Sequence, residues 1–373
     1  MTPHDGLITH ESATFRGDTT TSAQPEPTQP GAIRMLVVDP RAADMRSSDA
    51  AQLPAWLRAG DLLVVNDAAT LPASLSASTR DHAPVEIRLL GPARAGVFSA
   101  VLFGAGDHRT RTEDRPAPPR LRVGDKLVVG PRLTAEVVGC SDVSLRLVEL
   151  RFNAREAELW SALYAWGKPV QYADQPEPLP LWSVQTVYAA RPWAAEMPSA
   201  GRPLSMRTLT ALRRRGVRFA VLTHAAGLSA TGDPDLDRAL PLPEHYEIPA
   251  QTVRAVEHTR AARGRVVAVG TSVVRALEDS AQQSHGTLRA GEGLATLRIG
   301  AIHKPRIVDG LLTGIHAPGE SHFALLAAFA DEALLRRSHQ CARQLGYREH
   351  DFGDACLLLA GTLNQQGGPI AIQ

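Results

Sequence analysis

The stretch Arg265-Val-Val-Ala-Val-Gly-Thr-Ser-Val-Val-Arg-Ala-Leu-Glu278 carries the clearest chemistry in the chain. Val266 to Val269 suit a strand covered on both faces. Gly270 permits a tight turn, and Thr271 or Ser272 is placed to cap the helix that follows. The first turn of such a helix gathers unpaired N–H groups and a partial positive charge. It suits a carboxylate, a phosphate or a nucleotide edge, although an ordinary strand–helix unit would read the same. Polar side chains also stand where other apolar runs end. Asn66 and Asp67 follow one run and His224 another, Asp309 and His316 bracket a third, and Asp354 precedes the last. Ligands of α/β proteins collect at strand ends, so these residues matter more as a set than singly. Taken alone, Asn66 and Asp67 are turn residues, His224 a satisfied buried histidine and Asp354 a cap.

Several familiar chemistries are missing from the sequence. No Gly-x-Gly-x-x-Gly follows a strand, no Gly-x-x-x-x-Gly-Lys-Ser/Thr occurs, and no His-Glu-x-x-His occurs. Gly270-Thr271-Ser272 lacks the last glycine of a nucleophile elbow. His316 and His322 lie six residues apart with no cysteine or third ligand nearby, so no metal is expected.

Alternating patterns show how these residues could be positioned. Residues 33–38, 60–67, 217–223 and 266–269 read as strands, and 49–57, 154–166, 205–215, 249–263 and 321–345 as helices. Between 71 and 152 the period becomes two. Val85, Ile87 and Leu89 alternate with Glu86 and Arg88, and Val143, Leu145 and Leu147 with Ser144 and Arg146. The fold class expected is a mixed α/β main domain, over 31–70 and 153–373, with a small antiparallel β-barrel domain inserted over 71–152. Residues 107–122 read as a long exposed loop, and 1–30 as a mobile leader.

Composition narrows the function classes. The chain has 373 residues, enough for two cores, with 44% hydrophobic and 21% charged residues. Its formal net charge of +1 does not draw the whole protein to nucleic acid, so RNA binding would need a local basic patch. Arg213-Arg-Arg215 and the arginines of residues 109–122 are the two candidates. Three separated cysteines fit a reducing cytoplasm, and no apolar run is long enough to span a membrane.

Further motifs have a family likeness. They are Gly60-Asp-Leu-Leu-Val-Val-Asn-Asp67, Leu71-Pro-Ala73, Val85-Glu86, Gln185-Thr-Val-Tyr188, Pro198-Ser-Ala-Gly201, Glu244 with Glu247-Ile-Pro249, Val308-Asp309-Gly-Leu-Leu-Thr313, His316-Ala-Pro318 and Phe352-Gly-Asp-Ala355. With residues 265–278, in this order, the chain resembles the S-adenosylmethionine:tRNA ribosyltransferase-isomerases of queuosine biosynthesis. The likeness covers residues 29–359.

The resemblance implies a β-barrel inserted in an α/β body. It implies transfer and isomerisation of the ribosyl group of S-adenosylmethionine onto an aminomethyl-deazaguanine in tRNA, giving epoxyqueuosine and releasing adenine and methionine. S-adenosylmethionine is then a co-substrate, with no other cofactor, no metal and no membrane partner. On that basis His224 or His316 would transfer a proton. Asp67, Asp309 and Asp354 would contact the sulfonium or ribose, Thr271 and Ser272 the methionine carboxylate, and Asn66, Gln185, Thr186, Tyr188 and Arg202 would line the pocket. The chain departs from the family pattern at Ala68-Ala69, usually Thr-Arg, at Ser74, usually Arg, and at Arg202-Pro203, usually Leu-His, so that a histidine is gone and an arginine appears. These changes bear on the acceptor. A small non-tRNA acceptor and a noncatalytic binder are the alternative readings.

Overall fold

The computed structural model describes residues 32–350 and 352–363. The expected leader over 1–30 lies outside them. The architecture is a nine-stranded sheet flanked by helices, together with a closed six-stranded antiparallel barrel. The sheet order is Gly291–Ala295, Glu244–Ile248, Arg218–His224, Leu62–Asn66, Val266–Val269, Gly310–Gly314, Ala355–Leu359, Arg34–Asp39 and Asp44–Asp49. The third to sixth of these run parallel, and Ala355–Leu359 runs antiparallel to Gly310–Gly314. Residues 66–67, 224, 270, 314–316 and 354 therefore share one edge of the sheet.

Strand periodicity explains why the sheet is covered twice. Leu62, Val64, Val266 and Ala268 pack with Val273, Ala276 and Leu277 of the helix Thr271–Gln283 and with Leu334 and Leu335 of Glu332–Gln344. The alternate residues Leu63, Val65, Val267 and Val269 pack on the other face with Leu53, Trp56, Leu209 and Leu212. Near-continuous valine and leucine runs are what such a doubly covered strand needs. Two buried carboxylates fix the long helix Thr271–Gln283. Glu278 accepts the amides of Arg306, Ile307 and Val308, and Asp279 accepts those of Thr296 and Leu297.

The barrel strands are Ser74–Ser78, Pro84–Leu89, Phe98–Phe103, Lys126–Val128, Thr134–Cys140 and Leu147–Phe152. Leu75, Val85, Ile87, Phe98, Val137 and Leu150 belong to its apolar core. The polar side of the same strands faces the α/β body. Glu86 accepts from Arg88 (2.8 Å), Arg115 (2.6 Å) and Ser74 (2.8 Å). Arg88, Arg115 and Arg146 crowd the ring of Phe103, and Arg88 also covers Tyr172, whose hydroxyl donates to Glu196. Ser144 Oγ donates to Asp233 of the body at 2.6 Å.

Three local expectations need correction. Residues 143–146 are a turn, not a strand. Val143 and Leu145 are exposed while Ser144 and Arg146 are buried, because those polar side chains bond inward to Asp233, Leu102 and Arg115. The helix expected over 321–345 is two helices, Ser321–Leu326 and Glu332–Gln344, separated where the Asp331 side chain caps the second by accepting from Leu334 N. The loop 107–122 is not wholly exposed, since the Arg115 side chain is fully buried against Glu86.

Candidate functional site

The polar rim is built at the ends of the central parallel strands. Asn66 is buried and stitches two of them together. Its Nδ2 donates to His224 O, and its Oδ1 accepts from Ala68 N and His224 N. The side chain is committed to the fold rather than held out for a ligand. Asp67, one residue on, projects to the rim and accepts from Thr223 Oγ1 at 2.6 Å. Burial pushes its carboxyl above the ordinary value, against the pull of Thr223 and of the nearby Arg191 cation.

Tyr188 lies close enough for the Asp67 charge to act on it, and burial raises its phenol well above the usual range. The hydroxyl of Tyr188 and the methyl of Thr186 press on Gly201, where any Cβ would overlap the Tyr188 oxygen. Ala200, beside it, abuts Gly270. The turn Ser199–Gly201 thus forms a roof between Tyr188 and the start of the Thr271–Gln283 helix. The Gln185 side chain is engaged within the fold. Its amide grips Thr70 through both N–H and C=O and also donates to Leu181 O.

The helix start differs from the expectation in one respect. Gly270, at φ 93°, occupies the cap position, and no side chain caps the helix. Thr271 is therefore already inside the helix and cannot fold back on its first turn. The amides of Thr271, Ser272 and Val273 have no partner among the described residues, which leaves the positive end of the helix open to an anion.

Behind that start lies a charged cluster. Arg275, in the helix's second turn, pairs with Glu244 and donates to Leu242 O, Ala295 O and Leu297 O. His224 is fully buried beside it, with Nε2 3.6 Å from Glu244 Oε2. That separation is too long for a good hydrogen bond, and neither ring nitrogen has a partner among the described residues. The satisfied buried histidine of the sequence reading is buried but unsatisfied. Burial and then the Arg275 charge hold it well below the ordinary histidine value, so it is neutral. Burial raises Glu244, and Arg275 opposes the rise.

His316 shares a 2.9 Å hydrogen bond with Thr313 Oγ1, lies 3.5 Å from Glu320, and stacks on His322 at 4.9 Å. Burial, with help from His316 and Arg275 and against Glu320, pushes the His322 imidazole down to about 4. Above pH 6.5 both folded and unfolded chains leave this ring neutral. As pH falls through 6.5 the unfolded chain takes a proton that the folded one refuses, and stability drops by about 1.4 kcal/mol per pH unit toward about pH 4. Urea unfolding of the wild type should show this fall, and His322→Phe should flatten it. An unchanged slope in the variant would assign the acid lability elsewhere.

Two carboxylates expected at the rim have other duties. Asp354 is buried and clamps Arg34 through its backbone and guanidinium, while accepting from Arg348 N. Asp309 lies at the opposite end of the sheet. It precedes its strand, and its carboxylate accepts from Val266 N at the start of the neighbouring one. Bracketing a strand put Asp309 and His316 at its two ends, so only His316 reaches the rim. Arg202 lies over the ring of Phe352 at 4.8 Å. It lines a recess with Ser199, Thr313, Gly314 and Asp354.

A second recess on the far side of Gly314 holds His316 and His339. The empty spaces, about 240 and 310 Å³ including room open to solvent, are at or below the lower limit for a ligand pocket. Asp67 and His224 line neither. The rim is shared, but neither of these two recesses brings the side chains together. Sequence reasoning missed Glu244 and Arg275 as a pair, Thr313 and Glu320 as partners of His316, and the turn at 199–201 as a roof. Arg275 and Glu278 of the 265–278 stretch were the available signal, since neither charge suits a helix face otherwise covered by the sheet.

A family model described as queuosine biosynthesis protein matches residues 11–358. The chain belongs to that family. Among relatives of the queuosine biosynthesis protein family, the S-adenosylmethionine:tRNA ribosyltransferase-isomerase of Thermus thermophilus is 35% identical over 315 residues, 82% of this chain and 86% of its own length. The one from Rubrobacter xylanophilus is 34% identical over 334 residues, 88% of this chain and 91% of its own. A crystal structure of S-adenosylmethionine tRNA ribosyltransferase from Thermotoga maritima aligns over 91% of this chain and 96% of that one, with 24% identity and a TM-score of 0.47. Among the described residues of this queuosine biosynthesis protein family member, no group of three or more His, Cys, Asp or Glu side chains is arranged to hold a metal ion. No helix among them is long and apolar enough to cross a membrane.

Proposed function

We propose that this chain transfers and isomerises the ribosyl group of S-adenosylmethionine onto an aminomethyl-deazaguanine base in tRNA, giving epoxyqueuosine and releasing adenine and methionine. The observation that carries the reading is the family match over residues 11–358, together with relatives of that name aligned along most of both chains. S-adenosylmethionine is the co-substrate, no further cofactor takes part, and a tRNA substrate fits a cytoplasmic enzyme.

The rim supports definite roles. The positive sulfonium acidifies the adjoining ribose carbon, and a base must remove a proton there for the rearrangement to begin. Asp67 suits that step, since it is an anion at the rim, half-buried, attractive to the sulfonium, and raised toward a useful basicity. The open amides at Thr271, Ser272 and Val273 suit the methionine carboxylate. Thr186 and Tyr188 wall the space next to Asp67. His316 acts through Thr313, whose hydroxyl it holds at the first recess, and His224 fills a buried place behind the rim. Arg202 and Asp354 border the acceptor side.

Adenine release from S-adenosylmethionine, measured with and without tRNA carrying the aminomethyl-deazaguanine base, tests the reading. Release that depends on this tRNA is expected. Release with a small deazapurine alone would move the acceptor, and ligand binding without release under any condition would make the chain a noncatalytic relative.

A further inference from the structure

The arginines of residues 213–215 are part of a larger feature at the end of the sheet opposite the rim. Three turns are packed side by side there, each leading into a parallel strand. Gly60 N donates to Gly216 O at 3.0 Å, Arg218 N to Asp61 O at 2.8 Å, and Leu62 N to Arg265 O at 2.8 Å. A Cβ at Gly264 would overlap the Gly60 carbonyl, and one at Gly216 would stand 3.1 Å from Ala59 Cβ. This close approach gathers Arg58, Arg213, Arg214, Arg215, Arg260 and Arg263, all exposed, on one end of the molecule.

The nearby acids offset them only in part. Asp61 is fully buried and taken by Arg265, with Arg58 at 3.6 Å. Asp309 accepts from Val266 N, and the Arg260 charge also acts on it. The side chains of the other five arginines form no hydrogen bond or ion pair among the described residues. Two helices, Met206–Arg214 and Ala250–Ala261, end here, and a basic residue in the last turn of each offsets its partial negative charge. That explains one or two guanidiniums, not six. Because the whole chain is only +1, this concentration leaves the remainder net acidic. In the other basic segment Arg115 is buried against Glu86, and Arg109 and Arg111 face Asp107 and Glu113 at the surface, which leaves fewer unpaired guanidiniums there, Arg120 and Arg122.

We propose that this basic end is a docking surface for the phosphate backbone of the RNA substrate, separate from the rim where the base reacts. The proposal rests on the tRNA reading above. Rows of unpaired, planar guanidiniums suit phosphates, and RNA stems are recognised through backbone and shape rather than through base edges. The seven-residue strand Arg218–His224 separates the two ends by about 20 Å at roughly 3.3 Å per residue. One RNA could engage both ends, with the reacting loop at the rim and its backbone following the sheet to the arginines. The lost family arginines near Ala69 and Ser74 then matter less, because the electrostatic hold lies elsewhere.

Two variants on separate elements test this. One carries Arg213→Gln, Arg214→Gln and Arg215→Gln; the other carries Arg260→Gln and Arg263→Gln. Binding of full-length tRNA is followed by fluorescence anisotropy across a salt series, beside adenine release. Each variant should weaken tRNA binding about tenfold at 0.1 M salt, and the dependence of log Kd on log salt should become shallower by about two. The KM for S-adenosylmethionine and kcat at saturating tRNA should stay at wild-type values. Wild-type Kd and salt slope in both variants would overturn the proposal, as would a preference of the wild type for phosphatidylglycerol vesicles over tRNA. If the wild type releases no adenine yet its tRNA binding is weakened by both variants, the activity fails and the docking surface stands. If the wild type is active and both variants bind like it, only the docking surface fails.

Discussion

Asp67→Asn is expected to lower tRNA-dependent adenine release by about 10²- to 10⁴-fold, the usual contribution of a positioned general base. The exchange keeps the size of the side chain and an oxygen that can accept from Thr223 Oγ1, which now donates to the carboxylate at 2.6 Å. The fold should therefore survive, and S-adenosylmethionine binding should weaken only by the loss of one charge near the sulfonium. The acid limb of the wild-type rate profile follows from the same group. Burial raises the Asp67 pKa above 3.8, so activity should be full where the carboxylate is ionised and decline as pH falls through that raised value. Thr223→Val removes a hydrogen bond to the charged form and should move the limb to still higher pH. Turnover in Asp67→Asn within threefold of wild type would take Asp67 out of the chemistry.

Arg275→Leu is expected to destabilise the fold by about 3 kcal/mol, because it strands a largely buried carboxylate. Glu244 would keep the amide of Gly227 but lose the guanidinium that balances it. Its folded pKa is already raised by burial, with Arg275 holding it down; without Arg275 it rises further. A carboxyl with a raised folded pKa is a burden above that pKa and none below its unfolded value, so the deficit should shrink as pH falls toward about 4.5. The double replacement Arg275→Leu with Glu244→Leu should recover much of the loss, since apolar side chains can replace a buried pair at little cost. Urea unfolding of the three proteins at pH 7 and pH 5 measures all of this. A deficit that is the same at both pH values, or a double variant no better than the single, would contradict it.

The strands that carry the rim could be read in advance because they are covered on both faces and so are spelled almost wholly in Val and Leu. The barrel was legible for the opposite reason, its two faces differing so that Val85, Ile87 and Leu89 alternate with Glu86 and Arg88. Direction is harder to see. Apolar runs do not say which end faces which, and Asp309 fell at the wrong end although it stands seven residues from His316 in the sequence. Caps depend on one φ angle, and Gly270 at φ 93° displaced the hydroxyl residues that follow it. At Ser144 and Arg146 the apolar-in rule reversed, because partners distant in sequence offered hydrogen bonds to the polar side chains. Pairs such as Arg275 with Glu244 are set by chain segments 31 residues apart, and a single sequence has no local pattern that joins them.

The seam between barrel and body makes the barrel a poor spare part. A transplanted barrel that lacked the ring of Phe103 or its three guanidiniums would not match a body that presents Tyr172, Glu196 and Asp233. Either mismatch leaves ions stranded in a dry joint, so hybrid enzymes should express well only when both sides of the seam are exchanged together.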